Sequence, residues 1–92
     1  MPLFLVESYL PRSMGAHEAA PGLARRAAEL AGSEGIDLRY LRTTLLPSDE
    51  TCFHLYEAGS PESVLEVSRR AAIPVERVVE AIDIELGELK GG

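Results

Sequence analysis

A cysteine and a histidine stand two positions apart in the apolar run TCFHLYEA, as Cys52 and His54. Side chains two positions apart in a strand point to the same face, so this thiolate and imidazole could approach one metal ion. A transition-metal site normally has three or four ligands, and the candidates for the others are Glu7, Glu80 and His17, whose positions no spacing fixes. The alternative interpretation is a small buried cysteine beside a histidine that a tyrosine or glutamate satisfies.

A second candidate site depends on how the predicted strands align. If their phases match, one sheet face carries a set of polar and aromatic residues: Glu7, Tyr9, Tyr40, Arg42, His54, Tyr56 and Glu80. Such a set could bind a small polar or aromatic molecule, with His54 as a base near neutral pH and Arg42 holding an anionic group. The same residues could instead form a wet dimer interface, since Tyr and Arg are enriched in interfaces.

Length and charge limit the class of protein. The chain has 92 residues, which predicts a single domain over residues 1–92, with a core at about 2–86 and a tail at 87–92. Hydrophobic residues make up 46% of the chain and charged residues 26%, as in globular proteins, so a small core can form. The net charge of -6 opposes a polyanionic partner, and we expect no binding to nucleic acid.

The sequence also predicts where the protein works. No stretch approaches the roughly 20 apolar residues that span a bilayer, and the start MPLFLVESYL has neither a basic leader nor a long apolar segment. A single cysteine, Cys52, cannot form a disulfide within the chain. We therefore expect a cytoplasmic protein with a reduced cysteine and no membrane partner.

Periodicity and turn signals divide the chain into strands and helices. The predicted elements are a strand at 3–9, a helix at 23–35, a hairpin of strands at 36–46 and 51–58, a helix after the serine at position 60, and a strand at 78–86. Two prolines and two glycines predict a loop at 11–22. The second helix has the clearest start, since Ser60 stands at the N-cap, Pro61 at N1 and Ser63 at N3.

The order strand, helix, strand, strand, helix, strand predicts the split βαβ arrangement of an α+β protein. In this arrangement a four-stranded antiparallel sheet carries both helices on one face, and the other face stays open. A partly apolar open sheet face in a small domain is commonly covered by another subunit or by a ligand. We therefore expect a homodimer.

Residues from about 2 to 86 resemble a family of small, mostly bacterial proteins. The resemblance is carried by PLFLVES, by AAELAGSEGIDLRYLRT, and above all by YEAGSPE followed by RRAAIPVERVVEA. Members of that family have a ferredoxin-like fold, most have no known function, and one branch is described as nickel-binding and dimeric. The resemblance thus implies the same fold as the element order, with a divalent transition metal such as nickel as the implied cofactor.

The resemblance also implies where nickel ligands would stand. Histidines of the nickel-binding branch occur where this chain has Ser8, Arg26 and Ser68, and a cysteine occurs where it has His54. Hydroxyl and guanidinium groups are poor ligands for a transition metal. Of these four positions, only His54 therefore keeps a ligand type.

Two functions follow from these patterns. The first is a dimeric, non-catalytic binding protein that holds a metal ion or a small organic molecule on or beside the open sheet face, around His54. The alternative is a small enzyme of the dimeric α/β-barrel kind, an isomerase or monooxygenase, in which His54 transfers protons with Tyr56 or Glu7. A metal binder would retain ions through His54, whereas an enzyme needs an enclosed pocket for an organic molecule.

Overall fold

The structure, a computed structural model, describes residues 1–10 and 16–84, without the side chains of residues 16–19 and 21. Within those residues the main elements in chain order are β1 (Leu3–Tyr9), α1 (Ala16–Ser33), β2 (Leu38–Leu46), β3 (Thr51–Ala58), α2 (Pro61–Arg70) and β4 (Arg77–Ala81). A short 3-10 turn at Pro47–Asp49 joins β2 to β3.

The four strands form one antiparallel sheet in the order β2-β3-β1-β4. Even-numbered residues of β1 and β3, such as Phe4, Val6 and Tyr56, join buried residues of both helices in one hydrophobic core. Both helices therefore lie on this side of the sheet, the helix side, and we name the opposite side the open face. This is the ferredoxin-like α+β arrangement that the element order predicts, and the predicted fold class is confirmed.

Several predicted boundaries are also confirmed. Strands β1 and β3 occupy the predicted ranges 3–9 and 51–58. Helix α2 begins at Pro61 after Ser60, whose hydroxyl accepts a hydrogen bond from the backbone N–H of Ser63 at 3.2 Å. A serine cap satisfies one free N–H and a following proline fixes the first helical φ, so local sequence sets this start.

Helix α1 corrects the predicted loop over residues 16–22 and the predicted helix at 23–35, while residues 11–15 of that loop lie outside the described residues. The helix begins at Ala16 and therefore includes Pro21 and Gly22. Its buried face is a row of alanines at helical spacing: Ala20, Ala24, Ala27 and Ala31. Packing of this row against the sheet outweighs the proline and the glycine, which is why local signals predicted the start too late.

Strand β4 is shorter than predicted. It runs over Arg77–Ala81 rather than 78–86, and residues 82–84 follow it without regular structure. Its last residue lies opposite Leu3, the first residue of β1, so the neighbouring strand offers no further partners. The remainder of the predicted strand and the predicted tail at 87–92 lie outside the described residues.

Strand β2 begins two residues later than predicted and contains a β-bulge that the sequence analysis did not predict. The pairing partners of Tyr40 and Arg42 are consecutive residues of β3, so Leu41 is an extra residue without a counterpart. One extra residue reverses the alternation beyond it. Arg42 consequently points to the open face and Thr43 to the helix side, the reverse of what a regular strand would give.

Candidate functional site

Cys52 and His54 lie side by side in the protein interior. Both point from β3 to the helix side, and they are 0% and 1% exposed. The Sγ atom of Cys52 is 3.5 Å from Nε2 of His54, so the two side chains that were predicted to share a strand face are in contact. They lie beneath the helices and not on the open face, where the candidate site was expected.

A chain of hydrogen bonds runs through the histidine. The Tyr40 hydroxyl is 2.7 Å from Thr43 Oγ1, and Thr43 Oγ1 is 2.8 Å from Nδ1 of His54. On the other side of the ring, Cys52 contacts Nε2 and also shares a hydrogen bond with Ser8, its opposite residue on β1. Polar side chains from β2, β3 and β1 are thus joined in one line through the interior.

The far end of this line is a backbone carbonyl. The Ser8 hydroxyl donates to the carbonyl oxygen of Pro74, which can only accept. The interaction of Ser8 with Cys52 lowers the pKa of the thiol, against the larger rise that burial causes. Thr43 Oγ1 at Nδ1 and Cys52 Sγ at Nε2 can each donate or accept, so these contacts satisfy either neutral tautomer of His54. The line therefore leaves both ring nitrogens with a partner in the interior.

Burial keeps the ionisable members of this cluster neutral. It lowers the pKa of His54 to about 4 and raises the pKa of the Cys52 thiol to about 11. Burial also raises the pKa of Tyr56, whose hydroxyl donates to the carbonyl oxygen of Ala24 at 2.9 Å. At neutral pH the cluster therefore holds neither a thiolate nor an imidazolium, and Tyr56 fastens α1 to the sheet.

The described side chains do not fit the implied nickel ion. Coordination needs a deprotonated thiol and a free ring nitrogen, but Cys52 keeps its proton and both nitrogens of His54 have partners. Among the side chains described here, no three histidine, cysteine, aspartate or glutamate residues form a cluster. Glu7 lies on the open face, Glu80 is exposed on an edge strand, and the side chain of His17 lies outside the described part.

The positions that the family resemblance relates to nickel ligands differ in their surroundings. Ser8 and Ser68 are 0% and 1% exposed, whereas Arg26 is exposed on α1. Ser8 belongs to the hydrogen-bond line, and its hydroxyl donates a hydrogen bond to a backbone carbonyl. Its side chain is therefore used inside the protein, whereas a histidine at this position would offer a ring nitrogen to a metal.

The predicted polar and aromatic set is divided between the two sides of the sheet. In the pairing of β1 with β3, Val6 lies opposite His54, and opposite residues point to the same side. His54 therefore shares the helix side with Tyr40 and Tyr56. The other members are Glu7, Tyr9 and Arg42 on the open face and Glu80 at the exposed edge of the helix side. The sheet separates His54 from Glu7, so these two residues cannot exchange a proton.

The open face has an apolar centre and charged borders. Its centre consists of half-buried and buried apolar side chains: Leu3, Leu5, Phe53, Leu55, Val79 and Ala81. Ion pairs join neighbouring strands at its borders, Arg77 with Glu7 at 2.6 Å and Arg39 with Glu57. An apolar centre within a polar border is the usual anatomy of a protein interface.

A cavity of about 280 Å³ lies on the open face beside β2. Its apolar lining comes from Leu5, Phe53, Leu55, Ala81 and Ile82, and its polar lining from Arg42, Thr44 and Asp83. Small-molecule sites commonly measure roughly 300–1,000 Å³, so this cavity suits a ligand at the small end of that range. Of these residues the sequence analysis singled out only Arg42.

A larger cavity of about 430 Å³ lies at the sheet edge, between α2 and β4. Its charged residues are all exposed and alternate in sign: Glu62, Arg69, Glu76 and Arg77. It is separate from the apolar centre of the open face. The smaller cavity is continuous with that centre and is therefore the better candidate for a binding site.

Three important residues carried no sequence signal. Thr43 bonds to His54 only because the bulge turns it to the helix side. Thr44 is turned to the open face by the same shift. Asp83 lines the cavity although it follows the end of β4, and nothing in the pattern VVEAIDIEL indicates that position.

Two further observations concern the class of protein. In the part of the chain that the structure describes, no helix combines the length and apolar character needed to cross a bilayer. The protein is a ferredoxin-like α+β protein. Its polar cluster is buried on the helix side, and the helices leave the other face of the sheet uncovered.

Comparisons with known proteins support this fold. A crystal structure of a protein from Streptomyces coelicolor A3(2) is similar, with a TM-score of 0.61 and 21% sequence identity, over 90% of this chain and 99% of that one. At this identity the likeness shows the fold alone. No family model matches the chain, and no curated protein matches it.

Proposed function

We propose that this protein is a non-catalytic binding protein that forms a homodimer through its open face and holds a small organic molecule in the cavity beside Arg42. The observation that carries the proposal is the apolar centre of the open face. Ile82, which lines the cavity, is 79% exposed, and Ile84 is 62% exposed. Large exposed apolar side chains next to an apolar sheet face favour contact with another protein surface.

The charges at the borders of the open face favour a second copy of the chain as the partner. Each border pairs a cation with an anion, Arg77 with Glu7 and Arg39 with Glu57, so neither border has a single sign of charge. A twofold axis brings the same surface to itself, and mixed charges tolerate this better than a border of one sign. The apolar centres would then meet in the middle of the interface.

The cavity supports the binding part of the proposal. It lies where the apolar centre meets β2, and ligand sites commonly occur at the interfaces of subunits or domains. A second copy on the open face would shield the cavity from water. A metal ion is not proposed as the ligand, because Cys52 is protonated and both nitrogens of His54 are occupied.

The proposal includes a cytoplasmic location and no nucleic-acid partner. Cys52 is free and buried, as suits a reducing compartment. The net charge of -6 opposes association with a polyanion.

Sedimentation equilibrium of the purified chain tests the dimer. We expect a dimer for the wild type and a monomer for Ile82→Asp, which places a charge beside the apolar centre of the open face without disturbing the core. Ala72→Asp is the matched control, because Ala72 is also exposed and apolar but follows α2 on the helix side. A wild-type monomer, or equal masses for both variants, would overturn the dimer.

Methyl NMR tests the organic ligand. Titration with 1-octanol, a neutral amphipathic probe, should shift the methyl signals of Leu5 and Leu55, which line the cavity. The methyl signals of Val64 and Val67, buried under α2, should stay in place. The absence of saturable shifts at Leu5 and Leu55 with any amphipathic probe would rule out the cavity as a binding site.

A further inference from the structure

The segment after β4 lines the cavity on the open face. Arg42 lies on β2 and Asp83 follows β4, and these two strands are the outer strands of the sheet. Nη2 of Arg42 lies 3.6 Å from Oδ1 of Asp83, so the two side chains reach toward each other across the face. Ile82 and Asp83 line the same cavity as Leu5 and Leu55 of the two inner strands. The segment after β4 therefore forms one wall of the cavity.

The cavity beside this segment is amphipathic. Leu5, Phe53 and Leu55 form an apolar floor, and the polar residues lie together at the β2 end. Arg42 and Thr44 are two positions apart on β2 and point to the same face, so a guanidinium and a hydroxyl stand next to each other. The shape suits a molecule with an apolar body and one polar end.

The charge that the cavity favours at the polar end of the ligand follows from how firmly Arg42 and Asp83 are held. Arg42 belongs to a paired strand, whereas Asp83 lies in a segment without regular structure. Their contact of 3.6 Å is too long for a hydrogen bond, and their side chains are 61% and 54% exposed. Such an exposed pair is weak. A carboxylate can therefore replace Asp83 and form the two parallel hydrogen bonds that a guanidinium favours.

We propose that the ligand is an amphipathic carboxylate, with its carboxylate bound by Arg42 and its apolar body on Leu5, Phe53 and Leu55. Asp83 occupies the place of the carboxylate until the molecule binds, and so competes with it. This inference rests on the proposed function, because it names the chemical class that the open-face cavity takes.

Three probes of equal chain length test the class: octanoate, 1-octanol and octylammonium. Their affinities are measured at pH 7 by the methyl shifts of Leu5 and Leu55. We expect octanoate to bind about tenfold or more tightly than 1-octanol, since a hydrogen bond to a charged group contributes more than a neutral one. Octylammonium should bind more weakly than 1-octanol, because it places a cation beside Arg42.

Two substitutions test the residues. Arg42→Gln should weaken octanoate binding about tenfold and leave 1-octanol binding nearly unchanged. Asp83→Asn should tighten octanoate binding by up to about fivefold, since it removes a competitor held by a weak ion pair. Arg39→Gln is the matched control on the same strand and face, and should change neither affinity.

The outcomes separate this inference from the proposed function. If none of the three probes shifts the signals of Leu5 and Leu55, the cavity is not a binding site and both proposals fail. If 1-octanol or octylammonium binds as tightly as octanoate, or if Arg42→Gln leaves octanoate binding intact, the carboxylate assignment fails while the binding function stands.

Discussion

The hydroxyl of Thr43 lies 2.8 Å from Nδ1 of His54, directly across the pairing of β2 with β3. The same hydroxyl is 2.7 Å from the hydroxyl of Tyr40. This one threonine thus joins the outer strand to the buried cluster. Its contacts hold the imidazole in one orientation.

Replacement of Thr43 by valine should destabilise the protein. The change keeps the shape but leaves Nδ1 of His54 and the Tyr40 hydroxyl without this partner, and such a loss costs about 1–3 kcal/mol. Urea denaturation of wild type and variant measures the difference. Thr44→Val is the matched control on the opposite side of the sheet, and should change the free energy of unfolding by no more than about 0.5 kcal/mol. Equal effects of the two changes would contradict the assigned bond.

Acid should destabilise the protein through His54. The pKa of His54 is about 4 in the folded protein against 6.5 for a free histidine, so between these values the unfolded chain binds a proton that the folded chain does not. Stability therefore falls as the pH drops from 6.5 to 4, by an amount on the order of 3 kcal/mol for this group.

Urea denaturation at several pH values, for wild type and His54→Gln, measures this contribution. Glutamine does not titrate, so the variant should lack this part of the loss while it keeps the part due to carboxylates. Identical pH dependence of the two proteins would show that His54 is not buried as a neutral group.

Replacement of Ala72 by glycine should stabilise the protein. Ala72 ends the turn after α2 with φ 62°, a left-handed conformation that costs a residue with a Cβ atom roughly 1 kcal/mol. We expect a gain of about 0.5–1 kcal/mol in the free energy of unfolding. Ala71→Gly is the adjacent control: its φ is -86°, so glycine there should destabilise the protein. A loss of stability in Ala72→Gly would contradict the assigned conformation.

Nickel should not bind stoichiometrically to the described cluster. Binding would require the Cys52 proton to leave at a pH far below its pKa of about 11, and would break the bonds of His54 to its neighbours. Calorimetric titration of metal-free protein with Ni²⁺ and then Zn²⁺ checks this, with His54→Ala in parallel. Stoichiometric heat that disappears in His54→Ala would show that the cluster opens to take a metal.

Local signals predicted those elements whose ends are fixed by neighbouring residues. Ser60 and Pro61 determine where α2 begins, and the alternation around Val6 gives the first strand its bounds. The start of α1 was predicted too late, because the packing of its alanine row outweighs the breaker at Pro21. The element order was sufficient for the fold, since few topologies satisfy right-handed crossovers.

The candidate site was harder to predict than the fold. Periodicity divides each strand into two sets of residues, but it does not say which set of one strand joins which set of the next. The pairing places His54 with Val6 on the helix side, and it places Phe53 and Leu55 with Leu5 on the open face. Both sets of β3 are apolar enough for either side, so only the three-dimensional pairing decides the matter.

The extra residue Leu41 decides which side of the sheet the later side chains of β2 face. If Leu41 were paired as in a regular strand, the guanidinium at position 42 would turn to the helix side and the hydroxyl of Thr43 would turn away from His54. Deletion of Leu41, in contrast, would make Tyr40 and Arg42 adjacent in plain alternation and leave Arg42 opposite Leu55 and Thr43 opposite His54. The interior bond and the surface cation therefore depend on this residue staying out of the pairing, and both would survive its loss.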